Sequence, residues 1–225
     1  MEELLMRRGR ALLSRLYRAR RGVALIEFAL VLPILLTLSL TGAELTNYIT
    51  IRMRISQLAL HLADNAARIG AGTRREAKKI YESDIYDLVD GAQLQSGKLD
   101  LLRNGRIIVS SLESMPAPNT ANKSRIRWQR CAGSKTSHAS AWGVAGATNL
   151  DGMGPSGRQA VAPQDGVTMF VEVYYEYKPL ISATRLLLAD QNITEIASMM
   201  VRDRRDTGGA NSGIYPVAGV TPKTC

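Results

Sequence analysis

The sequence predicts an α+β chain in which a long N-terminal helix packs against a second helix and a small antiparallel sheet. Three observations predict it. An apolar run extends from Val23 to Ala43, a helical period continues from there to Gly70, and several short β-rich segments follow the helices rather than alternating with them.

Residues 1–22 form a basic leader. They hold seven arginines, Arg7, Arg8, Arg10, Arg15, Arg18, Arg20 and Arg21, against Glu2 and Glu3, and so carry five of the nine net positive charges. The remaining 203 residues share a surplus of only four, which removes most of the case for a nucleic-acid partner. Next come 21 residues, 23–43, with Glu27 as the single charge. At 1.5 Å per residue they make roughly 32 Å of helix, about the hydrocarbon thickness of a bilayer. Arginines before the span and none inside it place the N-terminus in the cytoplasm and the bulk of the chain outside. A cleaved secretory signal is the competing reading, and Thr41-Gly42-Ala43 offers a small-x-small site. Its usual apolar core is shorter and carries neither an acid like Glu27 nor a proline like Pro33.

The helical pattern runs on through 44–72, with Gly70 and Gly72 as its stop. At 100° per residue, Thr50, Arg54, Gln57, His61, Asp64 and Arg68 fall in one polar stripe. Ile51, Ile55, Leu58, Leu62 and Ile69 form an apolar stripe beside it. Ile49, Met53, Leu60, Ala63 and Ala67 form another, almost opposite. Such a helix asks for cover on more than one side, from its own domain or from a partner.

Residues 73–225 read as a mixed domain. A second helix is predicted from Thr73, with Glu76 completing a capping box and Ile80, Tyr81, Ile85, Leu88 and Val89 as its apolar face. Strands are predicted at 105–112, 125–131 and 167–177, with a less regular one at 192–202. In the third, Val167, Met169, Val171, Val173, Tyr175 and Tyr177 alternate with more polar positions, giving one apolar face. In the second, alternation turns Ile126 and Trp128 inward and leaves Arg125, Arg127 and Arg130 on a solvated basic face. Residues 178–191 read as a short helix or apolar loop, and 206–225 as an irregular tail. Cys131 and Cys225 both lie in the exported part, where an oxidising compartment favours a disulfide; two free thiols are the alternative.

No catalytic constellation emerges. Gly152–Gly157, GMGPSG, matches a dinucleotide-binding pattern, but in a Gly- and Ser-rich region with no strand before it or helix after it, so a flexible loop is expected. His61 and His138 have no neighbours at metal-ligand spacing, and no G-x-S-x-G elbow is present. The chain is expected not to be an enzyme and to need no metal or cofactor.

The stretch Arg20-Arg21-Gly22-Val23-Ala24-Leu25-Ile26-Glu27-Phe28 is more specific. It resembles a class III, type IV-like prepilin cleavage site: a basic leader, a glycine, then an apolar helix with glutamate fifth and an aromatic sixth. With Pro33, and with Gly42 and Glu44 at the outer end of the span, the chain is similar to TadE-like proteins of the tight-adherence (Flp-type) pilus system. The resemblance covers about residues 20–44 and, less diagnostically, the strands near 168–181 and 193–202.

The resemblance implies a pilin-like fold in a bacterial inner membrane, with residues 44–225 in the periplasm. It implies cleavage between Gly22 and Val23 by an aspartyl prepilin peptidase. Glu27 and Phe28 would act in subunit assembly, Glu27 by pairing with the amino group freed at Val23, and Pro33 would permit bending. The implied partners are the peptidase, other pilins, assembly-platform proteins and the membrane, with adhesion as the end. The alternatives are an uncleaved bitopic assembly factor, or an anchored periplasmic binding or enzymatic domain. In a plain anchor Glu27 would simply reach back to the cytoplasmic interface.

Overall fold

The computed structural model describes residues 20–73, 76–181, 192–208 and 210–225. The chain divides into two compact units, Met1–Asn47 with Pro179–Leu187, and Tyr48–Lys178 with Leu188–Cys225. Helix α1, Arg20–Arg68, runs through both as one element of 49 residues and is not interrupted at Pro33. After it come β1 (Ile80–Tyr81), α2 (Glu82–Ser96), a 3-10 turn (Gly97–Leu99), α3 (Leu101–Asn104) and β2 (Gly105–Ser114). Then follow β3 (Ser124–Ala132), β4 (Val167–Glu176), β5 (Asn192–Met200), α4 (Ala210–Gly213) and β6 (Ile214–Tyr215). The α+β class is as expected, and all four long strands overlap the segments expected from β-branched and aromatic residues and, for 167–177, from a period of two.

In the first unit every residue from Gly22 to Ala43 is exposed. Leu25, Phe28, Leu30 and Leu38 are among its bare apolar side chains. Among the described residues α1 is the helix long and apolar enough to cross a membrane.

The second unit is built on a four-stranded antiparallel sheet in the order β3-β2-β4-β5. Odd-numbered residues of β2 and β4 face α1 and α2. There Ile55, Leu58, Leu62 and Ala66 of α1 and Ile85 and Leu88 of α2 meet Ile107, Val109, Met169, Val171 and Val173 in the main core. The apolar stripe of α1 through Ile55, Leu58 and Leu62 is therefore buried. On the opposite stripe Ala63 and Ala67 are buried while Ile49, Met53 and Leu60 stay exposed.

The other face of the sheet differs from expectation. One apolar face was predicted for β4, yet Thr168, Phe170 and Glu172 are buried as well. The segment between β3 and β4 covers them. It is held to β3 by backbone bonds from Ser124 to Leu150 (2.8 Å) and from Ile126 to Ala147 (2.9 Å). Its Met153 and Trp142 pack with Phe170, Leu112 and Ile126 in a second core. GMGPSG belongs to this cover as a clamped turn, since Met153 and Ala160 exchange backbone hydrogen bonds at 2.9 and 2.8 Å.

The basic face of β3 is corrected too. The register between β2 and β3 shifts between Ser111, opposite Trp128, and Leu112, opposite Ile126, which leaves Arg127 as the extra residue of a β-bulge. One extra residue reverses the alternation, so Trp128 joins the main core and Ile126 the second one. Arg125 reaches Glu113 at 3.1 Å instead of solvent. Arg130, 8 % exposed, is bonded through Nε to both carboxylate oxygens of the fully buried Glu82 at 3.1 Å.

The second helix starts later than predicted. Thr73 only accepts a turn bond from the Glu76 N–H at 3.2 Å. Residues 78–81 are instead extended, because the C-terminal segment pairs with them. Lys78 N–H bonds to Arg204 O at 2.8 Å, and β1 runs parallel to β6. The helix begins at Glu82, where the Asp84 carboxylate accepts from the Tyr81 N–H at 2.8 Å. Residues 206–225 are correspondingly more than a loose tail, and most of the predicted 178–191 element lies outside the described residues.

Helix α1 ends at the predicted glycine. Gly70 has φ +108°, and a Cβ there would come within 2.8 Å of Lys79 O. Beside it Arg205 Nη2 donates to the carbonyls of Ala66 and Ala67 at 3.2 Å and of Ile69 at 3.0 Å. These are last-turn carbonyls that have no intrahelical partner. Burial lowers the Arg205 pKa to about 10, which still leaves it charged at neutral pH. Arg205→Met is expected to cost about 3 kcal/mol, the range for losing charge-assisted bonds to buried acceptors, read as a fall in the denaturant midpoint. Arg205→Lys should recover part of that loss.

Candidate functional site

The residues singled out by their pattern lie in two places. Gly22, Val23, Glu27, Phe28 and Pro33 occupy the first turns of α1, in the first unit, while Cys131 and Cys225 lie in the second.

Gly22 sits in regular helix, where glycine is about 1 kcal/mol worse than alanine. Among the described residues a Cβ added to it would meet nothing within 4 Å, so their packing gives no reason for a bare backbone there. Val23 and Glu27 are separated by four residues, one helical turn and about 6 Å of rise, on the same side of the helix. Val23 is 57 % exposed and Phe28 is 62 % exposed. Glu27 is exposed too. The segment is thus an apolar cylinder carrying one acid close to its N-terminal end. Pro33 has no N–H to donate to the Ala29 carbonyl, but the helix passes through it unbroken. At the far end Glu44 is buried and accepts from the Ile181 N–H at 3.1 Å, a contact that nothing in the sequence pattern suggested.

Cys131 and Cys225 are joined by a disulfide, with their Cα atoms 4.9 Å apart across 94 residues of chain. The alternative of two free thiols is set aside. The Cys131 N–H donates to Lys223 O at 2.8 Å, and the Tyr86 hydroxyl donates to Thr221 O at 2.8 Å. The C-terminal segment is thereby fastened at several points.

Beside the disulfide lies a cleft of about 400 Å³ whose walls include Arg106, Gln129, Ser140, Thr224 and Cys225. Arg106, Gln129 and Ser140 among its lining are committed to the fold. Gln129 Nε2 donates to Ser110 Oγ at 2.9 Å and to Gly143 O at 3.0 Å, and Arg106 Nη1 donates to the carbonyls of Thr136 and His138. His138 stacks on Tyr174 at 4.1 Å, and burial, then the nearby Arg106, holds its imidazole below the usual histidine range. Ser140 donates to Glu172, a fully buried carboxyl whose pKa burial raises, against the opposing bonds from Ser140 and the Ala141 N–H. His61 stays on the exposed polar stripe of α1, beside a groove of about 480 Å³ it shares with Arg54 and Lys98.

Sequence reasoning missed the Glu82–Arg130 pair and Glu172. The available signal was a charge inside a β-rich run, as at Glu172 between Val171 and Val173.

Comparison with protein-family models, with curated proteins and with solved structures returns no match for this chain.

Two outcomes test this geometry. Because the folded chain binds the Glu172 proton more tightly than the unfolded chain, Glu172 favours the fold in acid and this contribution fades as pH rises above about 4.3. Glu172→Gln can still accept from the Ala141 N–H and can donate to Ser140. It should flatten part of the loss of stability between acid and neutral pH, leaving the share due to Glu113, which burial raises likewise. Separately, reducing the disulfide opens a 94-residue loop and should cost on the order of 4–5 kcal/mol. Thermal unfolding with and without reductant measures it, and Cys225→Ser should match the reduced protein.

Proposed function

We infer that this chain is a TadE-like minor pilin or pseudopilin, cleaved after Gly22 by a prepilin peptidase and acting by helix–helix association rather than by catalysis. The observation that carries the reading is the start of α1: a glycine that the packing of the described residues does not require, followed by an uncovered apolar stretch, 23–43, with Glu27 as its only charge. A peptidase that draws backbone into its cleft accounts for a glycine at that point, because a side chain would obstruct the approach. Cleavage would give Val23 a positive amino group, and a carboxylate one turn away, on the same or a neighbouring subunit, compensates it where water is scarce. Phe28 then lies beside that pair as apolar contact surface, and Pro33 supplies a point of easier bending in an assembled helix bundle.

The exposed Ile49, Met53 and Leu60 support the same reading, since they extend an uncovered apolar surface past the span. In this scheme α1 holds the protein in a bacterial inner membrane, the sheet-bearing unit is periplasmic, and the partners are other pilins and the assembly platform. A long helix whose second half lines a small antiparallel sheet supports a pilin-like reading of the fold.

N-terminal sequencing of the mature protein tests the proposal. Wild type should begin at Val23, and Gly22→Leu should retain residues 1–22. A wild-type chain that keeps its leader would sink the peptidase step and leave an uncleaved membrane-bound assembly factor. Glu27→Gln should be cleaved normally yet lose register-dependent cross-links between subunits.

A further inference from the structure

The groove of about 480 Å³ between α1 and the end of α2 is cationic. Arg54, Gln57 and His61 form one line along α1, spaced by three and four residues, and Lys98 joins them from the 3-10 turn. Leu58 and Leu99 are its buried floor, and no acid lines it. Asp100, the acid that follows Lys98, accepts from Gln93 at 2.8 Å. A second line of the same spacing runs along α2: Asp87, Asp90 and Leu94, on the side opposite the buried Ile85, Leu88 and Ala92. Asp87 and Asp90 are exposed, and Leu94 is 83 % exposed, more than any large apolar side chain of 23–43. Asp87 also lines, with Asp84 and Arg68, a groove of about 370 Å³ at the other end of the α1–α2 contact, where Asp64 already holds Arg68 at 2.9 Å. Arg54, Lys98, Asp87 and Asp90 form no ion pair among the described residues. About ten residues of α1, roughly 15 Å of rise, separate the two grooves, which keeps the opposite charges of one copy apart.

We propose that the cationic groove at Arg54 and Lys98 receives the Asp87–Asp90–Leu94 ridge of a second copy of this chain. Three matches carry it. The two surfaces are opposite in charge. Both lines run over seven residue steps, about 10 Å of helix, so the ridge is as long as the groove wall. Both also carry apolar area beside the charge: Leu94 on the ridge, and Met53 and Leu60, 58 and 52 % exposed, on the helix that forms the groove wall. Exposed ion pairs alone hold little, so the apolar contact supplies attraction while the charges choose partner and register. Each copy carries groove and ridge in separate places, and the contact can therefore repeat from copy to copy. It lies wholly in the sheet-bearing unit and does not depend on cleavage after Gly22.

The test mixes two forms of the full-length protein in phosphatidylethanolamine/phosphatidylglycerol vesicles, one carrying Gln57→Cys and the other Leu94→Cys, and treats them with a short bismaleimide. Cys131 and Cys225 are bonded to each other and stay unlabelled without reductant. A mixed dimer should form, and should form equally when both copies also carry Gly22→Leu. Arg54→Glu with Lys98→Glu in the first form should cut its yield about fivefold, because two attractive pairs become repulsive. Adding Asp87→Lys with Asp90→Lys in the second form should restore it. A dimer whose yield ignores these charges would refute the proposal. So would its absence while copies carrying Leu30→Cys still cross-link through the span, an outcome that leaves helix association standing. If neither position cross-links, the copies do not associate, and this contact and the helix association proposed above fail together.

Discussion

The seam between the second half of α1 and the sheet governs most of the second unit. Ile55, Leu58, Leu62 and Ala66 present a narrow ridge, and Ile107, Val109, Val171 and Val173 present a flat β-branched surface to receive it. Tyr48 meets the buried Tyr177 edge-on at 5.1 Å near one end, and Arg205 holds the last carbonyls at the other. The small residues at 59, 63 and 66 are buried in this seam, and larger side chains would lift the helix off. A helix fixed along this length cannot rotate, so its polar stripe and the exposed Ile49, Met53 and Leu60 are presented to the outside in a set orientation.

The C-terminal segment closes what that seam leaves open. It supplies β6 to β1, Arg205 to the end of α1 and Cys225 to β3. Each contact joins residues far apart in the chain, which is why the start of α2 was misread. A helix signal at Thr73 and Glu76 is local, whereas the pairing that keeps 78–81 extended comes from residues 204–215. Propensity yields to tertiary partners of this kind.

The four long strands and the end of α1 at Gly70 were legible because they depend on period and on one backbone requirement. The long apolar helix was legible for the same reason: length and composition alone define it. Arg127 shows where such reading stops. No composition marks a bulge, yet one extra residue sends Trp128 and Ile126 to opposite faces and turns Arg130 from a solvated cation into the partner of a buried acid. The cover over the second sheet face was equally hidden, since Met153 and Trp142 sit in a stretch whose glycines suggested looseness. At the start of α1 the pattern of residue types was readable, whereas the empty space around Gly22 needed coordinates. Glu44 and Ile181 meet across 137 positions, beyond any motif.

The span of the disulfide has a bearing on how the protein is made. Between Cys131 and Cys225 lie both β4 and β5, half of the main sheet. In the proposed exported topology, a chain threaded outward from its N-terminus would deliver Cys131 first and keep it waiting as a thiol until both strands had emerged behind it. During that interval β2 would lack its partner β4, and another exported thiol could reach the same sulfur. In that scheme the order of delivery, more than the strength of the finished bond, would set how long Cys131 must wait for its partner.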